Sequence, residues 1–471
     1  MRYTAYDDRC QDGSPSLPGL LWGRQTATPG AYDESSHPWT LQGILNPYRS
    51  ARSIVILAGV VLVSVVILDW MFPSGTRATL VGTEGADRTV PKLARAILLC
   101  VMFLYVIATG WDPGAYGFST GRALAVFGVY MLISVFFCPG DWGPKFVVAT
   151  KSLLWILIAI GGYRLTLGGY LSATDIRCLA GVVVAIAATY TIGYCLLGDY
   201  RRGTNANVEV LLWCIPLLLL TDPPPWASAL AGLASLAAIM TCKRSALLAL
   251  VVGGCAHVVG LRVISPHREA CVKHVVALIL LTAALCGAVA WQWENIANKM
   301  ADFDDPEAMG SGRGWFYRAI LSEWYDSEAF GLLFGRGFLT VPDTLEAYGV
   351  AIIAHSDWLE ILHDMGFFGV FLFAYLNVRL LSLQARAMHW RLAILPPLMM
   401  GFSIFVVRSL ISGCVVASVE NVYFGLLLGY GAACITVQTA TPPWVCGDDC
   451  PGVDQRTDRE GGFDESPVGN A

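Results

Sequence analysis

Long unbroken apolar runs, rather than an alternation of hydrophobic and polar positions, dominate the pattern of this chain. Runs of roughly 17–22 residues match the length an α-helix needs to cross the hydrocarbon core of a bilayer. About twelve spans are predicted, at 53–72, 93–110, 121–138, 146–163, 178–197, 207–221, 225–241, 245–262, 274–292, 366–384, 395–412 and 415–436. The sixth and seventh are divided only by "DPPP", a tight turn. Polar segments with scattered Pro, Gly and Ser flank the runs. Residues 1–50 and 441–471 are therefore expected to be disordered tails around a membrane domain at 51–440. One interruption is long: residues 293–365, between the ninth and tenth spans, form a loop expected to carry short helices. The predicted fold is an all-α polytopic membrane protein.

Composition agrees, with 55% hydrophobic and only 14% charged residues, where a soluble domain carries about a quarter charged. The formal net charge of −5 gives no sign of a nucleic-acid partner. Of the 14 cysteines, most lie inside apolar runs (Cys100, Cys138, Cys178, Cys195, Cys214, Cys286, Cys414, Cys434), where they act as small packing residues. Cys446 and Cys450 in "CGDDC" have no second pair to complete a metal site. No basic-then-apolar cleavable signal opens the chain, so the first span is expected to serve as anchor.

Charge placement orients the spans. Arg49 and Arg52 precede the first, and the even-numbered connections carry Arg122, Arg164, Arg177, Arg262, Arg268, Lys273, Arg379, Arg386 and Arg391. Basic residues mark the cytoplasmic side, so both termini are expected there and loop 293–365 outside. The outer side nonetheless holds Arg201, Arg202, Lys243, Arg244, Arg313, Arg318 and Arg336, with Arg408 inside the eleventh span. Two readings stay open. These cations pair with Glu209, Asp302, Asp304, Asp305, Glu307 or Glu420 or snorkel to headgroups, an Arg408–Glu420 pair being the simplest case. Alternatively they share an anionic ligand, and a diphosphate suits the bidentate fork of arginine.

Three segments, in order, resemble the O-antigen ligase and polymerase superfamily. "DYRRGTNANVEVLLWCIPLLL", followed by "TCKRSALLAL", supplies Arg201 or Arg202, Asn205, Asn207, Arg244 and Ser245. "GSGRGWFYRAILSEWYDSEAFGLLFGRGFLT" supplies Arg313, Trp315, Gly335 and Gly337. "AHSDWLEILHDMGFFG" supplies His355, Leu359, Leu362, Gly366 and Gly369, with Ser356 where Asn is usual. The resemblance spans roughly residues 195–430. It implies a GT-C-like helical fold in a bacterial inner membrane. It also implies transfer of a glycan from a polyprenyl-diphosphate carrier to an acceptor sugar, either another lipid-linked repeat or the lipid A core. Inversion at the anomeric centre and contact with other polysaccharide-assembly proteins follow from the same resemblance.

Such a reaction develops charge on a leaving diphosphate, and fixed cations stabilise it. Arg244 and Arg313 are expected in that role, with Arg201, Arg202, Asn207, Arg318, Arg336, Trp315 and Arg408 as further donor or glycan contacts. His355 is the expected general base for the acceptor hydroxyl. Its competing role is structural: Ser356 and Asp357 are good N-cap residues, and Asp357 with Glu360 has capping-box spacing. His363 reads as a packed or interfacial histidine. Asp302 and Asp304 resemble the D-x-D of metal-dependent glycosyltransferases, but those use nucleotide sugars, so metal-independent, cofactor-free chemistry is expected. Trp315 and Tyr325 would stack on sugars or seat the loop at the membrane surface.

A transporter is the main alternative, since many helices with intramembrane charge would suit one. The two halves repeat no motif, however, and the long outer loop is asymmetric. A non-catalytic scaffold would leave the outer arginines without a role. The residues do not separate a ligase from a polymerase.

Overall fold

The computed structural model describes residues 119–139, 142–196, 207–241, 243–265, 313–349, 352–415 and 420–440, with a few isolated positions elsewhere. All belong to one compact unit, Ala51–Ala471. The predicted spans at 53–72, 93–110 and 274–292, both tails, and loop residues 293–312 fall outside this set apart from those isolated positions.

Every described element is helical: α1 (Ser119–Val135), α2 (Trp142–Leu167), α3 (Ala173–Leu196), α4 (Asn207–Leu218), α5 (Pro225–Met240), α6 (Arg244–Ile264), α7 (Arg313–Tyr325), α8 (Ala329–Phe334), α9 (Val341–Glu346), α10 (Asp357–His389), α11 (Leu395–Ile411) and α12 (Val422–Ala440). Five of them, α2, α3, α6, α10 and α12, are long and apolar enough to cross a membrane, and α1, α4, α5 and α11 are shorter apolar helices. Prolines fix several starts: Pro225 opens α5, and Pro396 and Pro397 lie in the first turn of α11. There the missing N–H costs no intrahelical bond. The last helix begins at Val422 rather than near 415; residues 413–415 instead form a turn whose backbone N–H groups have a separate task.

Small residues set the tightest contact. Gly425 of α12 lies against the Trp155 backbone and Gly429 against the Ala159 backbone of α2, where any side chain would collide. This is the small-residue spacing that lets apolar helices approach closely. In α6 and α11, Gly253 lies on Ile404 and Gly260 on Pro396, so the pair runs antiparallel. Beneath the polar end of the bundle Phe405 stacks on Phe424 (4.7 Å, 15°), and Trp213 stacks on the same ring (4.9 Å).

The sequence suggests that "AHSDWLEILHDMGFFG" runs straight into the next span; the structure bends it back instead. Gly366 has φ 65° and ψ −168°, and α10 is two helical arms joined there. The Trp358 ring lies 4.8 Å from that of Phe373, whereas a straight helix would separate those residues by roughly 22 Å. Ile361 likewise lies against Gly369. The short arm, residues 357–365, therefore descends beside the long arm, residues 367–389, and carries its polar residues one to two turns into the bundle, about 5–10 Å. Irregular backbone at such a depth requires protein around it, and Asp357, Glu360, Ile361, His363 and Asp364 are all buried.

Candidate functional site

The short arm starts from strain. His355 is half-buried and has φ +57°, a region that β-carbon-bearing residues seldom occupy. Ser356 takes the N-cap position but makes no side-chain capping bond, and the expected capping box is absent. Asp357 reaches sideways, its two oxygens accepting from the backbone N–H of Cys414 (2.8 Å) and of Val415 (2.9 Å). Those amides follow the end of α11 and have no helix of their own, so a buried carboxylate is their acceptor. Glu360 caps nothing: both its carboxylate oxygens are buried without a hydrogen-bond partner.

Arg408, 1% exposed, anchors the opposite side. It does not take Glu420 as its direct partner, as the sequence suggests. Its Nη2 lies 2.5 Å from Glu209 Oε2, at the start of α4. Lys243 Nζ holds the other oxygen of Glu209 at 3.0 Å. The reason is positional: Glu209 stands one turn before Trp213, whose ring faces the Arg408 guanidinium at 5.6 Å. The arginine is thus sandwiched between an anion and an aromatic face. Arg408 also donates to the carbonyl of Gly413 (3.3 Å), and Gly413 abuts both Asp357 and His355.

These contacts make one continuous polar strut: Lys243, Glu209, Arg408, the 413–415 turn, Asp357, then the strained turn at His355. It ties four segments that are distant in sequence. Register along α6 and α11 adds Arg244. Counting from the Gly253–Ile404 contact, Arg244 and Gly413 lie equal numbers of residues away in opposite chain directions, which sets them at one level of the antiparallel pair. Arg244 is exposed there, at the first position of α6.

A second lock fixes the loop. Asp364 accepts from the N–H groups of Leu339 (2.6 Å), Thr340 (3.2 Å) and Val341 (3.2 Å) and from the Thr340 hydroxyl (2.9 Å). It thereby caps the N-terminus of α9. His363 Nδ1 lies 2.9 Å from Asp364 Oδ1, and its Nε2 lies 3.2 Å from the Thr344 hydroxyl. His363 is thus buried and packed rather than interfacial. Arg336 and Gly337 donate backbone N–H bonds to the carbonyls of His363 and Asp364. Gly335 and Gly366 pack backbone to backbone beside them. Tyr130 of α1 donates to the Met365 carbonyl at 3.0 Å, and Lys145 of α2 bonds Asp343 at 2.5 Å.

The remaining expected site residues divide by placement. The Arg336 side chain is held by Glu323 (2.7 Å) and Ser327 (3.0 Å), which points it into the loop. Arg318 is exposed on α7, with Nε 3.4 Å from the Gly314 carbonyl. Trp315 packs on Phe316 and Tyr348 beside the small loop core of Phe316, Ile320, Val341, Leu345 and Ala354. Arg201, Arg202, Asp302, Asp304, Cys446 and Cys450 lie outside the described residues, as do the side chains of Asn207 and Arg313. Among the described residues no three His, Cys, Asp or Glu side chains converge as metal ligands. Asp364 carries structural weight that the sequence gives little sign of; Lys243 takes Glu209, one of the partners the sequence offers, and the signal for Glu209 is an acid at the mouth of an apolar helix.

Apolar helices of membrane length, close-packed around a polar cluster at one end, define an all-helical membrane protein. No protein-family model matches the chain, and no curated protein matches it either.

Proposed function

We propose that this protein is a membrane glycosyltransferase that moves a glycan from a polyprenyl-diphosphate carrier to an acceptor sugar, as an O-antigen or exopolysaccharide polymerase or an O-antigen ligase. One observation carries this reading: the strut brings the strained His355 turn to the bundle end where Lys243, Arg244 and Arg408 also lie. A base and several cations on one ledge are what transfer from a lipid diphosphate requires. Asp357 would hold the His355 turn. Arg244, exposed at the start of α6, would meet the developing charge on the diphosphate. Arg408 would act from behind, since Glu209 occupies its fork. In this reading the membrane is a bacterial inner membrane, with the polar end facing outward.

The test is done in cells. Arg244→Ala and His355→Ala are each expected to abolish surface polysaccharide at normal protein level. Unchanged polysaccharide in both would sink the proposal. Banding of surface glycan in a deletion strain separates the two activities: core bearing a single repeat marks a polymerase, and long polymer left on its carrier marks a ligase.

One observation favours a second reading, a transporter. A bent-back arm carrying the unpartnered carboxyl of Glu360 inside an apolar bundle is the kind of broken helix that lines a transport path. Substrate flux in proteoliposomes without glycan transfer would support it.

A further inference from the structure

The loop helices carry an apolar surface that the transfer reaction does not use. Tyr325 is 76% exposed at the end of α7, and Phe330 and Leu333 of α8 are 55% and 51% exposed. Every residue of α8, "AFGLLF", is apolar or glycine, and no polar face turns to water. In a water-facing loop such a helix would be an aggregation hazard.

Its neighbours indicate what covers it. Phe330 meets Phe137 just past α1 (5.5 Å) and Phe334 (5.1 Å), and Phe334 meets Phe368 (6.2 Å). Trp324 stands edge-on to Phe367 (4.9 Å), and Phe136 meets Trp142 at the start of α2 (5.8 Å). A ring of aromatics thus joins α8 to the end of α1, the start of α2 and the start of the long arm of α10. From Phe367 the exposed apolar surface continues down that arm through Phe371, Tyr375, Val378 and Leu381. That flank belongs to a helix long and apolar enough to cross a membrane. Aromatic rings gather where such helices leave the hydrocarbon.

We infer that α8 and the Tyr325 end of α7 lie in the membrane interface, with Phe330 and Leu333 seated among phospholipid acyl chains beside the long arm of α10. The occupant is phospholipid because the patch is continuous with the flank of a membrane-length helix and spans several helix ends at one level. A surface shared with a second copy of the chain needs neither feature. The inference rests on the membrane class alone and stands whether or not the protein transfers glycans.

The test uses the full chain in nanodiscs of a defined diacyl phospholipid free of polyprenyl lipids. A photoreactive benzoylphenylalanine is placed at position 330, 333 or, as control, the exposed Arg318 of α7. Lipid adducts by mass spectrometry are expected at 330 and 333, with at least a tenfold lower yield at 318. A crosslinked dimer at 330 and 333, or an adduct yield no higher than at 318, overturns the inference. An unmodified-surface measurement guards against a misfolded variant. Acyl-brominated phospholipid should quench a tryptophan signal that is lost in Trp324→Phe, and equal quenching in both proteins counts against the placement.

Discussion

Arg408 and Glu209 form an ion pair of 2.5 Å between α11 and α4, inside an otherwise apolar bundle. Their situations are unequal. Glu209 has a second partner in Lys243 at 3.0 Å, whereas Glu209 is the carboxylate bonded to Arg408, and Arg408 Nη1 is buried without a partner. Stranding a buried charge is the costly event, at about 3–5 kcal/mol. Glu209→Gln, which strands the arginine, is therefore expected to lower the melting temperature in detergent far more than Arg408→Met, which leaves Glu209 with Lys243. The double variant should recover part of the loss. Equal destabilisation by the two single variants would show that the pair does not act this way.

Glu360 and Asp364 lie on the same short arm and differ in what surrounds them. Asp364 accepts three backbone amides and one hydroxyl. Asn at that position has a single acceptor oxygen and turns an NH₂ toward buried N–H groups, which costs about 2–4 kcal/mol. Glu360 has no hydrogen bond to lose, and Gln keeps its shape without bringing a charge. Thermal unfolding should place Glu360→Gln nearer the parent than Asp364→Asn, which loses four accepted hydrogen bonds. The reverse order would mean that Glu360 has a partner the contacts do not reveal.

Gly366 makes the bend possible. Its φ of +65° is left-handed, and an added Cβ would press on the Leu333 carbonyl. With ψ at −168° the residue sits in a region essentially reserved for glycine, which costs an L-residue about 1–3 kcal/mol. The backbone collision adds to that, because neither Leu333 nor Gly335 can yield without breaking the bonds from Arg336 and Gly337 to the short arm. Gly366→Ala is expected to expose residues 335–341 to proteolysis or hydrogen exchange while α2 and α12 stay protected. Uniform loss of protection would point to global unfolding instead.

Much of the scaffold could be read from the chain because bilayer length and apolar runs determine each other. The described helices from α1 to α6 and from α10 to α12 fall where unbroken hydrophobic stretches predict them. The bend at Gly366 was hidden because a glycine at the mouth of an apolar run, following a polar helix start, carries no sign of its φ. The partner of Arg408 was hidden for a different reason. Charge in a sequence shows that a buried cation needs an anion, but the choice between Glu420, close along the chain, and Glu209, distant along it, depends on helix register. Asp357 shows the limit most sharply. Its position matches a helix cap, yet the two orphan amides of Cys414 and Val415 in the low-dielectric interior claim its carboxylate instead.

That substitution of roles gives the last prediction. Asp357 binds the 413–415 turn, Gly413 abuts His355, and His355 is held at φ +57°. If His355 is the base of a glycosyl transfer, Asp357 positions it without touching substrate. Asp357→Ala leaves His355 chemically intact but frees the turn, and a misplacement of about 1 Å can lower turnover about 10²-fold. Purified variant protein is expected to bind the lipid-linked donor with near-parental KM while kcat falls to that extent. His355→Ala should lower kcat to a residual level that the further change at Asp357 leaves unaltered in the double variant. Unaltered kcat in Asp357→Ala, with only a lower melting temperature, would reduce Asp357 to a structural tie. An independent loss in the double variant would separate it from His355.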